Sequence, residues 1–142
     1  PPPPAAAAAA ARHPDWLFFG CRYRDKDFLY EEEWAAMGAE KKKGTESNLQ
    51  LELRCAFSRE SMPKVYVTHR IEEAAASLCG LLWGGAGAHV YVSGSAKQMP
   101  GDVWAAFRAA LLRQRPDLTE DQAERALKLL RRRGRYHVEA WS

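Results

Sequence analysis

Residues 58–66 read Ser58-Arg59-Glu60-Ser61-Met62-Pro63-Lys64-Val65-Tyr66. A hydroxyl, a guanidinium, an ammonium and a phenol thus fall within nine residues. These donors suit a phosphate, because a guanidinium grips two oxygens through parallel N–H bonds and an ammonium adds a compact point charge. The phenol can also lie against a flat ring. On composition alone, an ordinary polar surface loop is the readier explanation. A second group lies at the end of the chain. Trp141 is next to last, a flat apolar plate on a mobile terminus, and Glu139 stands two residues before it. Taken singly, Trp141 reads equally well as a core aromatic, and Glu139 reads more readily as a solvent-facing strand residue.

The elements that must position these groups alternate between strand and helix. The run Trp16–Cys21 is short, aromatic and interrupted by Gly20, as expected of a buried parallel strand. A helical pattern follows from Asp27, with Phe28, Leu29, Trp34 and Met37 apolar, and ends at Gly38 and the lysine-rich stretch Lys41–Gly44. Leu49, Leu51 and Leu53 alternate with polar residues and lead through Cys55 to Phe57, a strand near a sheet edge. Ile71, Ala74, Leu78 and Leu82 recur at helical spacing until Gly84–Gly87. His89–Gly94 forms a third strand, and Val103, Phe107, Ala110 and Leu111 mark one face of a helix behind Pro100. Thr119 with Gln122 makes a capping box for a helix running to Gly134, and Tyr136–Trp141 is a last strand. This order predicts an α/β, Rossmann-like parallel sheet with flanking helices. Right-handed crossovers put the loops after Cys21, Phe57 and Gly94 at the ligand-binding edge of such a sheet. A dinucleotide site for NAD offers a carboxylate there for the ribose 2′-hydroxyl, whereas one for NADP offers arginine and other donors to a 2′-phosphate. The donors at 58–66 would suit the second kind.

Bulk properties bound the rest. The chain has 142 residues, enough for one core, with 46% hydrophobic and 11% aromatic residues. A net charge of +3 suits an anionic ligand and is too small to argue for nucleic acid. No apolar run is long enough for a membrane span. Cys21, Cys55 and Cys79 are scattered, and the four histidines have no ligand spacing, so neither a metal site nor a disulfide framework is expected. A reducing, cytoplasmic compartment follows. The run Arg131-Arg132-Arg133-Gly134-Arg135 is accounted for by the dipole of the helix it ends. Pro1–Pro4 and Ala5–Ala11 have nothing to bury, so residues 1–15 read as a disordered leader and 16–142 as the domain.

Five motifs in order carry a resemblance: Phe18-Phe19-Gly20-Cys21-Arg22 with Asp27–Tyr30; Ala56–Glu60 with Lys64–Val67; Val90-Tyr91-Val92-Ser93-Gly94-Ser95-Ala96-Lys97-Gln98-Met99; Gly134-Arg135-Tyr136; and Glu139-Ala140-Trp141-Ser142. From Leu17 to Ser142 the chain resembles the NADP-binding half of the ferredoxin–NADP reductase superfamily, in its diflavin branch. It is most like the cytosolic NADPH-dependent reductases that serve iron–sulfur cluster assembly, with the microsomal NADPH–cytochrome reductases near by. The resemblance implies NADPH as ligand, with FAD and FMN in a full-length parent, and an iron–sulfur acceptor protein such as anamorsin as partner. It implies that Ser58, Arg59, Lys64 and Tyr66 hold the 2′-phosphate and adenosine, and that Arg22 lies near the nucleotide's phosphates. Gly94 with Ser95 to Met99 would pass beneath the nicotinamide. Trp141 would lie on the flavin until nicotinamide displaces it, and Glu139 and Ser93 would assist hydride transfer.

Two departures stand out. The microsomal relatives have a cysteine, a softer neighbour for the nicotinamide, where this chain has Ser93. The family's first strand and glycine-rich phosphate turn are not found ahead of Trp16, where the Pro and Ala runs stand instead. The expectation is therefore a domain lacking its first, central strand, whose neighbours around Leu17–Gly20 and His89–Gly94 either pair directly or leave a gap. The alternative function is a catalytically incompetent truncated fragment or isoform, acting only as a nucleotide-binding or interaction module.

Overall fold

The apolar runs become strands and the amphipathic runs helices in a computed structural model that describes residues 13–27, 31–33, 35, 51–95 and 97–141. The leader expectation for Pro1–Arg12, most of the helix expected from Asp27, and the positions of Ala96 and Ser142 lie outside these residues. The chain divides into two compact units, Pro1–Val67 and Thr68–Ser142.

In the first unit, β1 (Asp15–Cys21) pairs in parallel with β2 (Leu51–Phe57), in register from Asp15↔Leu51 to Cys21↔Phe57. β1 begins at Asp15, one residue ahead of the boundary read from the sequence. Trp16 and Phe18 stack at 6.0 Å on one face of β1, and the Arg54 guanidinium covers the Trp16 ring at 4.9 Å. A single helical turn, α1 (Arg24–Asp27), follows β1. Cys21 and Cys55 are half-buried on these strands.

The second unit contains α2 (Val67–Glu73, its first residue shared with the unit before), α3 (Ala75–Trp83), β3 (Val90–Ser95), α4 (Met99–Gln114), α5 (Glu120–Arg132) and β4 (Tyr136–Trp141). The helix expected through Ile71–Leu82 is broken at Ala74, whose N–H is shared between the Arg70 and Ile71 carbonyls at 3.2 Å each. Both bonds survive in weakened form, so the chain tightens there without turning away. The capping box at the start of α5 forms as read: Thr119 Oγ1 accepts the Gln122 N–H, and Gln122 Oε1 accepts the Thr119 N–H. At the other end Gly134, with φ +72°, lets the chain leave the helix in the left-handed region. The Arg135 N–H then reaches the Leu130 carbonyl and the Gly134 N–H the Arg131 carbonyl, a Schellman closure.

β3 and β4 pair in parallel from Val90↔Tyr136 to Ser95↔Trp141. Val92 and Tyr136 bury one face of this ladder beneath α4 and α5, with Val103, Phe107, Leu111, Leu127 and Leu130. Each such side chain contributes about 1.5–3 kcal/mol through burial. Among the described residues, β1 and β2 form one two-stranded sheet and β3 and β4 another.

Candidate functional site

The parallel register of β1 and β2 ends both strands level, so the chain segments that leave them run side by side. The Ser58 N–H donates to the Cys21 carbonyl at 2.9 Å and the Arg59 N–H to the Arg22 carbonyl at 3.1 Å. The ladder is thereby extended two residues beyond the strands. A third bond, from the Glu60 N–H to the Phe57 carbonyl at 3.2 Å, turns the chain away. The loop returns to β1 at its far end: a Cβ placed on Gly20 would stand 2.6 Å from Val67 Cγ2, so only glycine admits Val67 there without displacement. Within the loop the Ser61 hydroxyl donates to the Pro63 carbonyl at 3.2 Å. Arg22, Arg59, Lys64 and Tyr66 are all exposed, and Ser58 is half-buried. Among the described residues, no ion pair involves Arg22, Arg59 or Lys64. The structure therefore brings Arg22, Ser58 and Arg59 together at the backbone, with two arginines whose charge is not cancelled. Lys64 and Tyr66 follow on the exposed stretch before α2.

In the second unit the register does the same for the other predicted residues. Ser93 stands opposite Glu139, Gly94 opposite Ala140, and Ser95 opposite Trp141. Glu139 is exposed and Trp141 is 60% exposed, so Trp141 is not a core aromatic. Gly94 lies against the Met99 thioether methyl, in space a Cβ would occupy. On the same face as Ser93 and Glu139, the rings of His89, Tyr91 and His137 stack with interplanar angles of 4–12°. Tyr91 is 74% exposed.

Residues 5–104 match the oxidoreductase NAD-binding domain family. The chain belongs to that family. An Arabidopsis thaliana protein named NADPH-dependent diflavin oxidoreductase 1 is 41% identical over 132 residues, covering 91% of this chain and 20% of its own length. The Bos taurus protein of the same name is 41% identical over 126 residues, 89% of this chain and 19% of its own. A Sus scrofa NADPH–cytochrome P450 reductase is 39% identical over 126 residues, 89% of this chain and 17% of its own. The chain spans about a fifth of the length of these relatives. The family membership agrees with the α/β fold and its parallel strands.

In this NAD-binding-family chain, sequence reasoning passed over several residues. Glu60 was given no role, but its Oε1 accepts the Arg24 backbone N–H at 2.6 Å. Arg135 lies in an arginine run explained by a helix dipole, yet its guanidinium donates to the Leu82 carbonyl at 2.7 Å and the Ala88 carbonyl at 2.9 Å. It thus ties the end of α3 to the start of β4. Arg131 covers the Trp104 ring at 5.0 Å. Glu124 accepts the Trp104 indole N–H at 2.7 Å and an Arg108 N–H at 2.8 Å. Arg108 first, then Trp104, hold the Glu124 carboxyl below the usual glutamate range. No local pattern reveals partners 16 to 53 residues apart.

Burial sets the remaining shifts. It pushes the Cys79 thiol up to about 11 and, against the opposing Arg131 charge, the Tyr136 phenol up to about 12. Neither is poised as a nucleophile or base near neutral pH. Among the described residues, no group of three or more His, Cys, Asp or Glu could hold a metal, and no helix is long and apolar enough to cross a membrane.

Proposed function

We propose that this chain is the NADP(H)-binding portion of a diflavin reductase that carries electrons from NADPH through FAD and FMN to an acceptor protein, in cytosolic iron–sulfur cluster assembly. Similarity to diflavin oxidoreductases at 41% identity supports the class of reaction. The observation that carries the reading is the uncompensated arginine pair, Arg22 and Arg59, tied backbone to backbone at the end of β1 and β2. Two arginines joined at the backbone offer positive charge to a dianionic phosphate, and Lys64 adds a third on the loop that carries Arg59. Ser58, Arg59, Lys64 and Tyr66 would hold the 2′-phosphate and adenosine, with Arg22 near the nucleotide's phosphates.

In the second unit, Gly94 supplies a surface without a side chain and leads through Ser95 to Met99 beneath the nicotinamide. Trp141, flat and 60% exposed, fits a stacking role on the flavin and can swing aside from the strand end. Glu139 would stabilise the positive charge left as hydride departs, with Ser93 beside it across the ladder. When bound, NADPH supplies the hydride and the flavins divide its two electrons for the acceptor.

Calorimetric titration of NADP and NAD into wild type and Arg59→Ala tests the reading. Wild type should prefer NADP, and the substitution should cost NADP about 1.5–3 kcal/mol, the loss of one charge-assisted contact. NAD affinity should scarcely change. An unchanged preference would remove the loop from the site.

A further inference from the structure

A carboxylate inside a phosphate-binding loop is a physical problem. Glu60 directly follows Arg59, and a free carboxylate there would pair with Arg59 or Arg22 and repel an incoming phosphate. It does neither. Its Oε1 accepts the Arg24 backbone N–H at 2.6 Å, the first N–H of α1. That group has no partner within the helix and needs an acceptor. The Arg24 guanidinium is itself paired with Glu31, with Nε 2.6 Å from Glu31 Oε1. The bond also fixes the loop. Arg59 lies between two ties, its own N–H to Arg22 on one side and the Glu60 side chain to Arg24 on the other.

We propose that Glu60 is a positioning residue for 2′-phosphate selection. Tied to the start of α1, it holds Arg59 beside Arg22 and withholds its own negative charge from the pair. This inference rests on the reading of the loop as a 2′-phosphate site. It assigns Glu60 no contact with the ligand. Its effect should therefore fall on the discrimination between NADP and NAD more than on nucleotide binding as such.

The test compares wild type, Glu60→Ala, Glu60→Gln and Arg59→Ala in the full chain, by calorimetry with NADP and with NAD and by amide NMR. Glutamine keeps an acceptor oxygen for the Arg24 N–H and removes the charge, so Glu60→Gln should retain NADP affinity within about threefold or exceed it. Alanine removes the tie, so Glu60→Ala should weaken NADP about tenfold, leave NAD within about twofold and shift the Arg24 amide resonance. Rescue by glutamine separates loss of the tie from loss of the charge. If wild type and Arg59→Ala show the expected NADP preference and its loss while Glu60→Ala keeps the wild-type ratio, the Glu60 inference falls and the loop reading stands. Equal weakening of both nucleotides by Glu60→Ala, or failure of Glu60→Gln to rescue, also overturns it. Absence of any NADP preference in wild type overturns the loop reading and Glu60's role together.

Discussion

The two units differ in what holds them together. Among the described residues, fourteen of the fifteen buried hydrophobic side chains belong to Thr68–Ser142, and only Ala56 belongs to Pro1–Val67. The second unit is a packed core in which α4 lies on β3, α5 on β4, and α3 against α4. The first presents a two-stranded ladder of half-buried side chains, and its loop is shaped by hydrogen bonds. The Ser58 and Arg59 N–H groups, the Glu60 carboxylate and the Val67 contact at Gly20 fix the loop's two ends. A loop can be held without burial by extending a ladder past the end of its strands, where each bond contributes about 0.5–1.5 kcal/mol.

The sharpest way to break this contrast is to remove equal volumes from the two units. Leu127 is 0% exposed in α5, and Leu127→Ala should lower unfolding stability by about 2–5 kcal/mol in urea denaturation. Leu53 is half-buried in β2, and Leu53→Ala should cost about 1 kcal/mol, since less apolar area leaves the interior. Equal costs would show that the first unit carries a core of its own.

A smaller effect concerns Glu124, whose carboxyl is held down by Arg108 and Trp104. The folded protein binds this proton less readily than the unfolded chain does. The stabilisation is therefore fully present above the ordinary glutamate value of 4.5 and is lost as pH falls through the lower folded-state value. Glu124→Gln should cost about 1 kcal/mol at neutral pH, an amount already reduced for solvent screening of so open a pair. The gap between variant and wild type should close below the ordinary glutamate range. A gap independent of pH would mean that packing around Trp104, and not the ion pair, sets the cost.

Legibility in the sequence followed the range of the interactions. Features written in a few neighbouring residues were readable: the strand closing on Gly20 and Cys21, the Thr119–Gln122 capping box, the Gly134 exit, and the donor cluster at Ser58–Tyr66. The pairing of Ser93 with Glu139 was implied only through the order of motifs, because register depends on where the Gly134 closure delivers Tyr136 to Val90. Features made by distant partners were not readable. Arg135 reaching the Leu82 and Ala88 carbonyls, and Trp104 reaching Glu124, have no local signature. The break at Ala74 was hidden as well, since no glycine or proline marks it and the apolar spacing runs straight through. Glu60 could have been found by asking what a carboxylate does inside the donor cluster Ser58–Tyr66.

The account's central claim is that the loop of the first unit selects for a 2′-phosphate. The most direct measurement titrates 2′,5′-ADP against 5′-AMP and follows backbone amides by NMR, since the two ligands differ only in that phosphate and neither carries a nicotinamide. The account predicts saturable shifts at Arg22, Ser58, Arg59, Lys64 and Tyr66 with 2′,5′-ADP, and at least about tenfold weaker binding of 5′-AMP, the loss of one or more charge-assisted contacts. Equal affinity for the two ligands, or shifts confined to Thr68–Ser142, would contradict it.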